Sequence, residues 1–393
     1  VGSWVAENKF HSKVTTCYYQ EDAELEHRHP DIISQTLFEN YRMPEVVIKG
    51  RRIGPAHPAF IIAEAGINHN GKVERALEMV LAAKQAGADA IKFQTFKADE
   101  FVGDPNQTYT YRSQGREITE SMLAMFRRYE LPREAWFAIK AECDRRDIIF
   151  MSTPQNRSDL DLVLEVGIPA IKIGSDDFTN LPMLRSFANE ELPLILSCGM
   201  ADMADVYRSL EVVGALDGRP TVLLLCTSQY PTPPADVNLR KLTTLQAAFP
   251  MLTLGFSDHT IGPLASSLAA ALGACVFEKH FTMDKNLPGP DHWFSEGPDD
   301  LAAWVASIHT AKAMLGEAVL RPTKAETAMR KIARRSVVAV RNVARGELLT
   351  ESNIALRRPS TGLPPEMFEQ ALGKTASRDI LAGEPLHLGD FVK

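Results

Sequence analysis

The sequence predicts a (β/α)8 barrel followed by a small β-rich domain, and three observations carry that prediction. Between residues 60 and 278, short apolar and β-branched runs alternate with longer amphipathic stretches, the signature of a parallel α/β fold. Eight such runs can be counted, the number that closes a barrel. Each run ends in polar residues, as expected where a barrel gathers its chemistry at the carboxyl ends of its strands.

Residues 1–58 show no sustained period, and a polar run, His27-Arg28-His29-Pro30, interrupts them. They read as an extension wrapping the main domain. The barrel domain, residues 59–315, has its strands at 60–63, 90–93, 148–151, 170–173, 194–196, 222–225, 252–256 and 274–277. Amphipathic stretches at 73–86, 136–145, 203–216, 239–248 and 263–272 fall between them, and 299–315 follows the last strand. The connection from Thr95 to about Arg133 exceeds a plain barrel loop and contains Phe101, Tyr109, Tyr111 and Arg112. A lid, an interface element and a decorative insertion all fit it. Residues 316–335 carry charge and a proline without a strong apolar face, and read as a linker. The last domain, 336–393, contains an internal echo, ARGELLTESNI at 344–354 and LAGEPLHLGDF at 381–391. Two similar corners, each opened by a Gly-Glu turn, are expected.

One large and one small domain suit 393 residues that are 45% hydrophobic and 24% charged. A net charge of −7 with no basic run speaks against a nucleic-acid surface. No stretch reaches membrane-span length. The five cysteines, Cys17, Cys143, Cys198, Cys226 and Cys275, include no C-x-x-C pair. Reduced thiols and a cytoplasmic setting are expected.

The strand ends supply Glu64, Lys92 with Gln94, Ser152 with Thr153, Lys172 with Ser175, Ser197, Thr227 with Ser228, Ser257 to His259, and Glu278 to His280. A lone histidine is commonly a loop or capping residue. His259 and His280 instead end consecutive strands of one crossover unit, which makes them neighbours able to share a first-row divalent ion. Lys92 and Lys172 interrupt apolar runs, where a charge is costly unless paired. A phosphorylated or carboxylated substrate would neutralise them, and so would an internal pair, for instance with Glu64. A metal beside an anion site and a carboxylate points to chemistry at a carbonyl.

The strings FIIAEAGINHNG (60–71), GADAIKFQTFK (87–97), MSTP (151–154), IKIGS (171–175), LSCGM (196–200), CTSQYPTP (226–233), GFSDHT (255–260), EKHFT (278–282) and LPGPDH (287–292) resemble the sialic acid synthase family. The last domain resembles its antifreeze-like SAF domain, a β-clip unit. The resemblance implies a TIM barrel that condenses phosphoenolpyruvate with an open-chain N-acylated hexosamine. The product is a nine-carbon 2-keto sugar acid, and the cofactor is Mn2+ or a similar ion such as Mg2+ or Co2+. By position, His259 and His280 match the metal ligands and Glu64 the carboxylate that handles a proton. Lys92, Thr153, Lys172, Ser175, Ser197, Ser228 and Ser257 match positions that hold phosphoenolpyruvate. Gln94, Tyr230, Glu278 and Asp291 match the sugar side, and Asp177 the acid of a Gly-acid pair. Arg358 matches an arginine that reaches the sugar amide from the SAF domain of the other subunit, which implies a domain-exchanged homodimer.

The chain departs from the family pattern at three positions: Gln155 stands for an aromatic, Ser228 for an asparagine common in the family, and Ser360 for a glycine; the first two border the substrates. N-acetylmannosamine is the default acceptor the resemblance implies. A 2,4-diacetamido hexose, leading to legionaminic or pseudaminic acid, is the close alternative. A non-catalytic carbohydrate-binding protein and a pyruvate aldolase are the rivals from other classes. A binder has no need of a metal and a proton shuttle together, and an aldolase has no need of two lysines for phosphate.

Overall fold

The computed structural model describes residues 43–392, so the polar run at 27–30 lies outside the described residues. The chain divides into two compact units after Gly316.

The first unit opens with an antiparallel hairpin, β1 (Val46–Ile48) and β2 (Arg51–Ile53). Next come β3 (Phe60–Gly66) and β4 (Ala90–Thr95), and then, inside the long connection, β5 (Thr108–Ser113) and β6 (Arg116–Ser121). The remaining strands of this unit are β7 (Ile149–Pro154), β8 (Ile171–Ile173), β9 (Leu194–Ser197), β10 (Thr221–Cys226), β11 (Thr253–Asp258) and β12 (Val276–His280). β3, β4 and β7 to β12 form one parallel sheet in the order β7-β4-β3-β12-β11-β10-β9-β8. Its two end strands lie against each other, so the barrel is nearly closed. All eight expected strands are present, and several run further than their apolar stretches. β12 continues through Glu278, Lys279 and His280, and β7 through Ser152 to Pro154. Polar side chains end an apolar run without ending backbone pairing, which is why the sequence places these boundaries too early.

Two apolar layers make the core. One lies between strands and helices and includes Ile61, Phe93, Phe150, Phe277 and Trp304. The helix Val73–Gln85 joins it through Ala76, Met79, Val80 and Ala83, the spacing that puts an apolar stripe on one face. The other layer fills the barrel with Phe60, Ile62, Ala90, Met151, Ile195, Val222, Leu224 and Val276, and Val46, Ile48 and Ile53 join it. The hairpin therefore plugs the end of the barrel opposite the strand carboxyl termini. This corrects the expectation for residues 43–58: they cap the barrel. Arg51 fastens the plug by pairing with Asp89, whose other oxygen accepts Ile61 N at 2.8 Å.

The connection 95–133 is built structure: a short helix (Ala98–Phe101), the β5–β6 hairpin and a helix (Met122–Tyr129). Cys143, Cys198, Cys226 and Cys275 are unpaired and buried. No helix among the described residues is long and apolar enough to cross a membrane.

The second unit begins with a helix, Lys324–Ala333, closed by a capping box between Thr323 and Glu326. The stretch expected to be a linker is thus partly helical. None of the helix's residues is buried, and its apolar side chains Met329 and Ile332 are exposed. β13 (Ser336–Ala339) pairs with β14 (Ile354–Arg357), and β15 (Thr375–Ala376) with β16 (Phe391–Val392). The two echoes superpose in chemistry. Glu347 accepts Ala344 N and Glu384 accepts Leu381 N, while Gly346 and Gly383 both take positive φ, 83° and 85°. Val343 and Ile380 exchange reciprocal backbone hydrogen bonds of 2.8 and 2.9 Å between the halves.

Ile48 is fully buried in the plug. Ile48→Ala should destabilise the barrel unit by about 2–4 kcal/mol, read as an earlier barrel transition in chemical denaturation.

Candidate functional site

Above the apolar filling, the barrel interior turns polar and opens into a cavity of about 1060 Å3. The register explains the convergence. Glu64 is flanked by His280 and Lys92, Gln94 lies beside Thr153, and Ser257 lies beside Cys226 and Glu278. Alternation then turns Lys92 with Gln94, and Glu278 with His280, to the same inner face.

The floor is an alternating set of charges. Lys92 Nζ is 2.7 Å from Glu64 Oε2 and 3.8 Å from Glu278 Oε2. Lys172 Nζ is 3.8 Å from Glu278 Oε1. All four are almost fully buried. Lys92 donates to Thr153 Oγ1 at 2.9 Å, Lys172 to Ser197 Oγ at 2.7 Å, and Ser257 Oγ to Glu278 Oε1 at 3.0 Å. Burial raises the Glu64 carboxyl above its ordinary value, with the Lys92 charge only partly offsetting it. At Glu278 burial is outweighed by the charges of Lys172 and Lys92, which leave it lowered. Burial also lowers the Lys172 ammonium. The internal Lys–Glu pairing foreseen as the alternative to an anion site is therefore present.

Backbone shape admits these groups. A β-bulge lies between Glu64 and Gly66. Gly66 has φ +49°, and a Cβ there would stand 3.2 Å from Glu64 Oε1. Gly199 N donates to Ser175 Oγ at 3.0 Å. A Cβ on Gly199 would come within 2.4 Å of Ser228 Oγ and 2.6 Å of Ser175 Oγ, so only glycine leaves both hydroxyls in place.

His259 and His280 stand with ring centroids 5.4 Å apart. Tyr230 covers His259 at 4.3 Å, and Phe294 lies edge-on to His280 at 5.2 Å. His259 Nδ1 is 2.8 Å from the Thr227 carbonyl, which can only accept. The neutral ring therefore carries its proton there and leaves Nε2 free. His280 Nδ1 is buried without a hydrogen-bond partner and lies 3.9 Å from Asp291 Oδ2. Burial, then the charges of His259 and Lys92, hold His280 well below the ordinary histidine range. Burial and the charge of Glu64 push the Asp291 carboxyl up to about 7. Two free imidazole nitrogens suit a first-row divalent ion. Among the described residues no three histidine, cysteine or acidic side chains converge to hold an ion by themselves, so water and substrate would complete its shell.

Of the residues singled out in the sequence, Glu64, Lys92, Gln94, Thr153, Lys172, Ser175, Ser197, Ser228, Tyr230, Ser257, His259, Glu278, His280 and Asp291 line this one cavity. Asp177 does not. Its carboxylate accepts Asn180 Nδ2 at 3.0 Å at the start of the helix Leu181–Ala188, and Asp176 lines the cavity in its stead. Arg358 belongs to the second unit. Cys226 was missed: its Sγ is 3.9 Å from His259 Nδ1, and its place at the end of β10 was the available signal. The β5–β6 hairpin adds Tyr109, Tyr111 and Arg112 to the wall, with Arg112 lying over Trp293 at 5.1 Å. Gln114 Nε2 and Ser113 Oγ tie the hairpin to the loop at Asn286 and Gly289.

The profile of the NeuB family matches residues 79–320 and that of the SAF domain residues 334–392. An N,N'-diacetyllegionaminic acid synthase of Legionella pneumophila is 39% identical over 337 residues, 85% of this chain and 94% of its own length. A pseudaminic acid synthase of Campylobacter jejuni is 34% identical over 84% of this chain and 96% of its own. Among solved structures, the N-acetylneuraminic acid synthetase of Leptospira borgpetersenii, in complex with citrate, has a TM-score of 0.66 and 31% identity. That likeness covers 74% of this chain and 96% of the other. The chain belongs to the NeuB family of synthases and carries a SAF domain at its C-terminal end.

Proposed function

We propose that this protein condenses phosphoenolpyruvate with the open-chain form of a 2,4-diacetamido hexose, giving a legionaminic- or pseudaminic-type nine-carbon 2-keto acid and phosphate. The observation that carries the reaction is the gathering of two buried lysines, two histidines and Glu64 on one cavity of about 1060 Å3. The choice of acceptor rests on the legionaminic and pseudaminic acid synthases at 39% and 34% identity. It displaces N-acetylmannosamine, the default expected from the sequence. The aromatic wall of Tyr109, Tyr111, Trp293 and Phe294 also offers apolar surface to the methyl groups of two acetamido substituents.

Lys92 and Lys172 hold the phosphate and carboxylate of phosphoenolpyruvate, with Thr153, Ser175, Ser197, Ser228 and Ser257 donating to the remaining oxygens. To do so the lysines exchange part of their pairing with Glu64 and Glu278 for the substrate anion. His259 and His280 would hold Mn2+, Mg2+ or Co2+, which when bound supplies a Lewis acid at the sugar aldehyde oxygen. Carbon 3 of phosphoenolpyruvate attacks the aldehyde carbon, forming the new C–C bond. Water adds at carbon 2, and the tetrahedral carbon then expels phosphate. Glu64, whose carboxyl burial holds above its ordinary value, moves the proton between the aldehyde oxygen and the attacking water. Tyr230 and Phe294 exclude bulk water from the histidines, which strengthens every charge interaction there. Asp291 and Gln94 face the acceptor. Arg358 of a domain-exchanged homodimer would contact its amide.

Phosphate release from phosphoenolpyruvate with Mn2+ tests this reading against 2,4-diacetamido hexoses, N-acetylmannosamine and its 6-phosphate. Release with a diacetamido sugar, abolished in metal-stripped protein, is expected; a preference for N-acetylmannosamine would reassign the acceptor. Lys172→Met should raise the phosphoenolpyruvate KM by about tenfold to a hundredfold, the worth of a buried charged hydrogen bond, with the acceptor KM little changed. Arg358→Ala should raise the acceptor KM by about tenfold while sedimentation still reports a dimer. Unchanged kinetics would remove Arg358 from the site.

A further inference from the structure

Lys279 stands between two residues of the site, yet the chemistry above does not use it. Glu278 and His280 face the cavity, so alternation sends Lys279 outward into the layer between strands and helices. There it is 2% exposed. Its Nζ is 3.1 Å from Asp258 Oδ2 and 3.8 Å from Glu296 Oε1, and it donates to the carbonyl of Thr260. Asp258 is fully buried. Its Oδ1 accepts Thr260 N and Thr260 Oγ1, each at 2.8 Å, and its Oδ2 accepts Ser266 Oγ at 2.6 Å. Ser266 in turn accepts Trp304 Nε1 at 2.9 Å. Glu296 Oε1 accepts Gly262 N at 2.9 Å, and its backbone N–H donates to the carbonyl of His280 at 2.9 Å.

Asp258 and Lys279 are register partners across β11 and β12, and each directly precedes one of the two histidines. We propose that the Lys279–Asp258 pair is a positioning element that fixes His259 and His280 at the separation needed to share one divalent ion. An outward position in this layer is ordinarily apolar, and a buried ion pair seldom adds stability over apolar residues of the same volume. What it does add is direction: Asp258, the Thr260 carbonyl and, further off, Glu296 surround the ammonium, and five other donors, Lys285 among them, fix the carboxylates of Asp258 and Glu296. The backbone that bears both imidazoles is held from behind. The inference rests on reading His259 and His280 as metal ligands.

Full-length protein, Lys279→Met and the charge-neutral double variant Asp258→Asn/Lys279→Met are titrated with Mn2+ alone. Free ion is followed by electron paramagnetic resonance, and folding by near-ultraviolet circular dichroism. The expected result is natively folded variants whose Mn2+ affinity falls about tenfold, the lower end of what losing a directly bonded outer partner costs, since neither side chain touches an imidazole. Their bound-ion spectrum at saturating Mn2+ should also show altered zero-field splitting. A role confined to stability would lower the melting temperature and leave that spectrum unchanged, overturning the proposal, as would wild-type affinity in either folded variant. Failure of both variants to fold would assign the pair to stability and overturn it equally. If the wild-type protein binds no Mn2+, the metal reading falls and this inference with it. If wild type binds and the variants match it, only the inference falls.

Discussion

Four charged side chains share the floor of one barrel, and burial of this kind is tolerated only where signs alternate. Lys92 lies between Glu64 and Glu278, and Lys172 answers Glu278 from the other side. Each ion removed from water carries a penalty of several kcal/mol that its neighbours must offset. Removing any one member would leave a buried charge unmatched. The same balance leaves the floor neutral as a whole, so an arriving anion must redistribute the lysines. Hydroxyls from Thr153, Ser197 and Ser257 already bond members of this set, which limits how far any of them can move.

Everything below and beside this floor serves to keep it in place. The apolar filling and the β1–β2 plug close the barrel beneath it, and the cavity opens at the strand carboxyl ends. The β5–β6 hairpin builds the opposite wall and is tied to the loop that carries Asp291. Tyr230 and Phe294 enclose the two imidazoles in aromatic surface. Charge at the bottom, imidazole to one side and aromatic surface above divide one cavity into regions of different chemistry.

The barrel was legible in the sequence because its signals are local: apolar runs of strand length and a polar residue at each end. The same strand-end logic places Lys92, Lys172, His259 and His280 at one rim, and all four line the cavity. It failed where local geometry decides. Asp176 and Asp177 differ by one residue, and only the turn after β8 determines which faces the cavity. Cys226 was read as a buried thiol because its neighbour His259 is distant in sequence. The helix Lys324–Ala333 carries a short apolar stripe, Ala325, Ala328, Met329 and Ile332, but within ten residues dense in charge it was too brief to outweigh the reading as a linker. Lys279 differs from its cavity-facing neighbours Glu278 and His280 only in strand phase, and nothing in its residue type marks it as the outward one.

The reciprocal hydrogen bonds between Val343 and Ile380 give the SAF domain an approximate two-fold axis. Gly346 N bonds to Ala376 O and Gly383 N to Ala339 O at 2.8 Å each, so every corner is closed by a segment of the other half. Each half keeps a short ladder of its own, β13–β14 and β15–β16, while the bonds that close the corners join distant parts of the chain. Such topology delays the reward for ordering the backbone until both halves have met. The two corners are therefore coupled: loosening either half unfastens the turn of the other.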